Sequence, residues 1–218
     1  VSDEDSETPY MTRRAMEFMA EDDGETPWVL HLSYIKPHWP YIAPAPYNDM
    51  YSVDDLVAVN RSEEEREKAN PLMRLEMEKV AGETFSTEEG RNRVLPTYMG
   101  LITQIDDQLG LLFDFMETRG LREETLIVFT SDHGDYLGDH WLGEKDLFHE
   151  VSVKVPMVIS HPDPAFDATR GTACDALVEH IDLAPTFIEI AGAKPEINLL
   201  EGRSLMPLLA GEVPKDWR

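Results

Sequence analysis

Apolar residues run almost without interruption through Leu126-Ile127-Val128-Phe129-Thr130. A short run of this kind, rich in β-branched and aromatic residues, predicts a strand buried on both faces, as in a parallel sheet. Trp28 to Ile35 and Val155 to Ser160 read as a second and a third buried strand. Elsewhere the apolar positions recur at helical spacing. Ala15, Met16 and Met19 predict a helix entered at Thr8-Pro9 and ended by Gly24. Ser62 to Asn70 predicts a charged helix stopped by Pro71, followed by a further helical piece through Leu72, Leu75, Met77 and Val80. Ser86-Thr87-Glu88-Glu89 is a capping-box pattern. It opens a long amphipathic helix that turns Tyr98, Ile102, Ile105, Leu109, Leu112 and Met116 toward a core, with a kink or break expected at Pro96. Val178 to Gly192 predicts a last helix, with Asp182 as its N-cap and Pro185 in its first turn. Buried strands separated by helices indicate an α/β chain.

The chemistry gathers where the strands end. Asp132-His133-Gly134 follows the first run after Ser131 alone. In open α/β sheets, ligand sites form just beyond the carboxyl ends of the strands. A carboxylate oxygen beside an imidazole nitrogen suits a divalent cation, and Gly134 would let the chain turn sharply after the pair. Lys145 lies twelve positions beyond His133, near enough to reach back if the loop folds over. His38, in Lys36-Pro37-His38-Trp39-Pro40-Tyr41, also stands just past a predicted strand, since two prolines forbid its continuation. The plain alternatives stay open on these residues. Asp132 can cap a turn, His38 can be a surface histidine braced by its neighbours, and Lys36 reads most simply as a solvated lysine. Asp106 and Asp107 lie on the long helix, at least one on its solvent face, and read as structural. Glu150, His180 and Asp182 are also assigned structural parts, while His140 and His149 are lesser candidates for lining the site.

Composition narrows the function classes. The chain has 218 residues and a net charge of -24, from 43 acidic and 19 basic residues. Such a surface repels nucleic acid and anionic membranes. It also repels an anionic ester, so an anion-processing site here needs local cations. No apolar run approaches the ~20 residues of a membrane span. Val1-Ser2-Asp3-Glu4-Asp5 is acidic and polar, unlike a signal peptide. Cys174 has no partner for an internal disulfide and reads as a buried small hydrophobe or a spare thiol. Compartment is left open, with a cytoplasmic setting favoured over a periplasmic or secreted one.

Several motifs together resemble a known family. Thr130-Ser131-Asp132-His133-Gly134-Asp135, Leu137-Gly138-Asp139-His140, Gly143 and Lys145 are similar to the C-terminal metal-and-lysine motif of the sulfatase family, in the alkaline-phosphatase-like superfamily. Lys36-Pro37-His38 with Pro40 resembles the family loop whose histidine contacts the ester and protonates the leaving group. Glu150 before Val155-Pro156, Asp182-Leu183 with Pro185-Thr186 and Gly192, and Gly202-Arg203-Ser204-Leu205 extend the resemblance over most of the chain. The region from about 48 to 88 resembles the family least and reads as an insertion or an oligomer contact. The Asp132-His133 pair points to the phosphonate monoester hydrolase and phosphodiesterase branch, with choline-sulfatase-like enzymes close by.

The resemblance implies an alkaline-phosphatase-like fold, a mostly parallel sheet flanked by helices. It implies a hydrolase of small sulfate or phosphonate/phosphate esters, with Asp132 and His133 on one divalent metal, Ca2+ or Mn2+. Lys145 would neutralise developing charge and His38 would serve the leaving oxygen. The family's nucleophile is a formylglycine made in a Cys-x-Pro-x-Arg context, and neither that motif nor an aspartate-bearing opening strand occurs in these residues. The chain is therefore expected to be the C-terminal part of a catalytic domain, inactive alone, with the nucleophile outside it. Choline recognition would call on an aromatic cage, for which Trp39, Tyr41 and Trp141 are the candidates. A non-catalytic subunit that keeps the fold is the alternative; a phosphomutase-like phosphotransferase is a further one, although His180 and Asp182 supply no convincing second ligand set. A homo-oligomer is an open expectation.

Overall fold

A computed structural model of the chain describes residues 2–194 and 199–218. It contains α1 (Glu7–Ala20), α2 (Glu63–Glu67), α3 (Pro71–Met77), α4 (Val80–Phe85), α5 (Glu88–Thr118), β1 (Ile127–Thr130), α6 (Glu150–Val153), β2 (Met157–Ser160), α7 (Leu183–Ile190) and α8 (Met206–Leu209). The described residues form two compact units, one of residues 2–119 and 129–157, the other of 120–128, 158–194 and 199–218. No described helix is long and apolar enough to cross a membrane.

In the first unit, α1 packs on α5 through Thr8, Thr12, Ala15 and Met19. The buried face of α5 matches the apolar stripe expected from sequence only in part, at Leu112 and Met116. Leu101, Gln104, Gln108, Leu112 and Met116 are buried, whereas Ile102 is 47% exposed. Two glutamines on the inner face conceal this stripe from a hydrophobicity reading. Gln104 is satisfied there, its Nε2 donating to Asp3 Oδ1 at 2.6 Å and to Ser6 Oγ at 2.8 Å. Nor does α5 break at Pro96: it runs on for 31 residues. The carbonyl that loses its donor belongs to exposed Asn92, where water can serve it.

Residues 48 to 88 form the three short helices α2, α3 and α4 rather than two longer pieces. Pro71 opens α3 as a first-turn proline, and Asn70 Oδ1 accepts the Met73 N–H at 3.0 Å. Met73 and Phe85 are buried, while Leu72 and Leu75 remain more than half exposed.

The strand expectations need correcting. The sheet formed by described residues has two strands, β1 beside β2. Trp28 to Ile35 lies outside it and forms neither strand nor helix, with Val29 89% and Ile35 61% exposed. Apolar composition made that segment read as a strand, but a strand needs a hydrogen-bonded neighbour, and its apolar side chains exceed what the described chain covers. Phe129 and Val158 are also exposed, so β1 and β2 are half-buried rather than enclosed on both faces.

The second unit is organised around Asp182, which is fully buried. Asp182 does not cap α7 with its side chain. Its carboxylate accepts the N–H groups of Glu179 and Arg203, each at 2.8 Å, and both terminal nitrogens of Arg218 at 2.6 Å. Burial alone would raise the Asp182 pKa; the Arg218 fork and the two N–H donors outweigh it and hold the carboxyl below its ordinary range. Cys174 is exposed, not a buried hydrophobe.

Candidate functional site

Asp132 and His133 leave β1 under local control. Ser131 Oγ donates to the His133 carbonyl at 2.8 Å, and Gly134 N–H donates to the Ser152 carbonyl at 2.8 Å. Gly134 is needed for proximity rather than for a sharp turn: it is not among the left-handed glycines, but a Cβ there would collide with the Val151 carbonyl. The glycine thus lets the Asp-His pair lie against the start of α6.

The pair offers an oxygen and a nitrogen. Asp132 Oδ1 accepts the His133 N–H at 3.0 Å, leaving Oδ2 3.5 Å from His133 Nε2. His133 Nδ1 lies 2.8 Å from the Gly134 carbonyl, a contact that requires Nδ1 to carry the proton. Nε2 then holds the lone pair, the tautomer a cation needs. Asp132 is 85% exposed as a side chain and His133 29%, so an ion there would also face solvent.

His38 and Lys145 meet across 107 residues of sequence, Lys145 Nζ lying 2.7 Å from His38 Nε2. His38 Nδ1 faces the Trp39 carbonyl at 3.0 Å and so donates to it. Nε2 accepts from the Lys145 ammonium. The His38 ring lies 6.0 Å from the His133 ring and 5.6 Å from that of Trp39. Lys36 is not a solvated lysine: it donates to the carbonyls of Pro40 at 2.7 Å and His38 at 3.4 Å, and partial burial lowers its pKa. Its cation braces the His38 loop from within.

The loop from Asp135 to Glu144 carries Lys145 back. Tyr136 N–H donates to the Glu144 carbonyl at 2.8 Å and Gly138 N–H to that of Leu142 at 2.9 Å. Leu137, His140, Trp141 and Glu144 all have positive φ, between 47° and 65°. Backbone held in this region by non-glycine residues costs about 1–3 kcal/mol each and persists where surrounding contacts impose it.

Asp135, read from sequence only as part of a motif, and Tyr41, read only as a cage candidate, meet at the site. Asp135 accepts from the Tyr41 hydroxyl and the Leu137 N–H, each at 3.2 Å, yet burial raises its pKa. Burial and the Asp135 charge push the Tyr41 hydroxyl upward and that of Tyr98 up to about 12. Asp135 stands in the Asp-His-Gly-Asp run, and Tyr41 follows the His38 loop; their adjacency to motif residues was the available signal.

Other candidates lie elsewhere. His140 and His149 stack on each other, 4.1 Å between ring centroids, and His140 Nδ1 lies 2.6 Å from Glu65 Oε1. Asp107 is exposed and accepts the Tyr47 hydroxyl at 2.8 Å, in keeping with a structural part. Tyr41 is taken up by Asp135, Phe85 and Tyr98, and Trp141 lies buried under Arg61 and Arg66. Neither is free to line an aromatic cage; Trp39 remains 52% exposed.

Comparison with known proteins places these residues in context. The sulfatase family model matches residues 5–193. The multifunctional alkaline phosphatase superfamily protein PehA of Trinickia caryophylli is 38% identical, over 98% of this chain and 43% of its own length. The choline-sulfatase of Rhizobium meliloti is 30% identical, over 88% of this chain and 37% of its own. Among solved structures, the phosphonate monoester hydrolase of Agrobacterium radiobacter matches the whole chain with a TM-score of 0.89 and 30% identity, over 45% of its own length. That of Silicibacter pomeroyi gives 0.87 and 32%, over 44%. The chain thus spans under half the length of each of these four relatives.

Proposed function

The chain belongs to the sulfatase family of the alkaline-phosphatase-like superfamily, and from that membership we propose that it supplies one side of the active site of a metal-dependent hydrolase acting on sulfate or phosphonate/phosphate esters. The observation that carries the reading is the meeting of Lys145 Nζ with His38 Nε2 beside the Asp132-His133 pair. A basic group, a proton-carrying imidazole and a cation-ligating pair are thereby gathered in a protein whose net charge would otherwise repel an anion.

The donor set of Asp132 Oδ2 and His133 Nε2 fits a divalent cation, such as Ca2+ or Mn2+, because it joins a carboxylate oxygen to an imidazole nitrogen already in the ligating tautomer. Such a cation supplies charge neutralisation at an ester oxygen. Two protein donors leave most of a coordination shell to other groups, so these residues alone bind it weakly. No residue described here fits the family's formylglycine: Cys174 sits in Gly171-Thr172-Ala173-Cys174-Asp175, without the proline and arginine of the motif. The 218 residues by themselves are therefore proposed to lack turnover.

Lys145 is placed to donate charge-assisted hydrogen bonds to an anionic ester oxygen, and these strengthen as charge builds toward the transition state. In the free site its ammonium occupies His38 Nε2, the nitrogen that would serve the leaving oxygen. An arriving anion draws Lys145 away and frees that nitrogen. Once Nε2 has taken up a proton, from solvent or from the Lys145 ammonium, His38 can donate it to the leaving oxygen. The Nδ1 hydrogen bond to Trp39 keeps the ring oriented through the exchange.

The phosphonate branch is favoured over choline sulfate. Tyr41 and Trp141 are engaged in packing, so the aromatic cage a quaternary ammonium requires is not assembled from the three candidate rings. The test is turnover of phenylphosphonate monoester and aryl sulfate by the complete gene product and by its Lys145→Ala variant. We expect the phosphonate ester to turn over faster and the variant to lose about a hundredfold or more in kcat, the scale of removing one transition-state donor. Wild-type rates in Lys145→Ala would refute the assignment. An inactive complete gene product would instead favour a non-catalytic subunit.

A further inference from the structure

Residues 60 to 66, which lead into and form α2, grip the loop that ends at Lys145. Asn60 N–H donates to Asp139 Oδ1 at 2.8 Å, and the Asn60 carbonyl accepts the His140 N–H at 2.9 Å. Trp141 Nε1 donates to the Ser62 carbonyl at 2.8 Å, while the guanidinium groups of Arg61 and Arg66 lie 4.2 and 4.8 Å from its ring centre. From the first turn of α2, Glu65 Oε1 pairs with His140 Nδ1 at 2.6 Å, with both side chains largely shielded. His140 and Trp141 are consecutive left-handed residues, with φ of 55° and 65°. Neither is a residue type that adopts this conformation without cost. External contacts must hold them; the hydrogen bonds come from residues 60 to 66, beside the stacking of His140 on His149.

Glu65, His140 and His149 also bring three potential ligand atoms within 4.8 Å of one another. Distance alone would suit a cation. The two imidazole planes, however, lie 14° from parallel with centroids 4.1 Å apart. A ring's lone pair lies in its own plane, so two nearly parallel stacked rings cannot both direct one at a single ion. The cluster is built as a hydrogen-bonded clamp.

We propose that Glu65 is a positioning residue for Lys145: by holding His140 in its left-handed conformation, it fixes the loop that presents the Lys145 ammonium to His38. The inference rests on the proposed role of Lys145, but its test does not depend on turnover. The route is short. His140 sits at the turn of a loop closed by the Tyr136–Glu144 hydrogen bond, and Lys145 is the next residue.

The test is competitive acetylation of the 218-residue chain, read by mass spectrometry as modification of Lys145 relative to Lys154, which is 78% exposed as a side chain. In the wild type, the hydrogen bond to His38 slows Lys145. Glu65→Ala should speed its modification several-fold, while amide exchange of α1 and α5 stays unchanged. Glu65→Gln keeps an acceptor for His140 Nδ1–H and should remain close to wild type. The double variant Glu65→Ala/His140→Gly is the sharpest arm. Glycine takes a positive φ without the penalty, so Lys145 should again be slow. This variant also keeps the idea testable if Glu65→Ala alone does not fold. Wild-type modification in Glu65→Ala, or no recovery in the double variant, would overturn the proposal. Unimpaired turnover in Lys145→Ala would remove the functional reading while leaving the clamp standing.

Discussion

Asp182→Asn should destabilise the second unit heavily. The carboxylate is fully buried and receives four hydrogen bonds, two from backbone N–H groups and two from the Arg218 fork. An amide can accept through its oxygen, but its NH2 would face a former donor, and Arg218 would lose the buried one of its two counter-charges, keeping Glu179 Oε2 at 3.2 Å. Removing one partner of a buried ion pair costs about 3–5 kcal/mol. Arg218 keeps 25% of its side-chain exposure and can recover some hydration, which sets the expected loss near the lower bound, about 3 kcal/mol. At ~2–4 °C per kcal/mol for a chain of this size, the melting temperature should fall by about 6–12 °C. The pH dependence gives a second reading. Because the folded Asp182 pKa lies below its ordinary 3.8, its contribution is complete above that value and is lost as pH falls through the depressed folded value. Calorimetric melting of wild type and variant across that range, with Trp217 as a local reporter through its indole bond to the Leu177 carbonyl, measures both effects. A loss below about 1 kcal/mol, the worth of an exposed pair, would refute the reasoning, as would an unchanged acid limb.

Two further outcomes follow from the first unit. Burial and the neighbouring His140 lower the His149 pKa, against a smaller opposing pull from Glu65. The unfolded chain therefore binds more protons just below pH 6.5, and stability should fall as pH drops from there toward the depressed folded value; His149→Gln should flatten that limb in denaturant melts. Gly134→Ala would drive a Cβ into the Val151 carbonyl. It should cost about 2 kcal/mol or more in urea unfolding, where a value near zero would contradict the close approach.

What the sequence offered for the candidate site was local pattern. Asp132, His133, His38 and Lys145 stand in short motifs beside apolar runs, and the structure brings these four side chains near one another. The Lys145–His38 contact could not be read, because it depends on how a loop with four left-handed non-glycine residues folds. Nothing in Leu137, His140, Trp141 or Glu144 advertises that conformation; at His140 and Trp141 it is held by contacts from residues 60 to 66, far away in sequence. The inner face of α5 was read only in part for a related reason: Gln104 is buried because Asp3 and Ser6 satisfy it, a pairing that periodicity cannot register. The run from 28 to 35 shows the converse limit. Apolar composition reports a tendency to be covered, whereas strand formation requires a neighbour.

The central claim, that Asp132 and His133 form a cation site beside His38 and Lys145, is tested most directly by titrating the isotope-labelled chain with Mn2+ and mapping paramagnetic line broadening. The account predicts that broadening begins at His133 and Gly134, extends to His38, and disappears in Asp132→Asn. Broadening centred on the acidic first turn of α2 or on the stacked His140–His149 pair, and unaffected by Asp132→Asn, would contradict it.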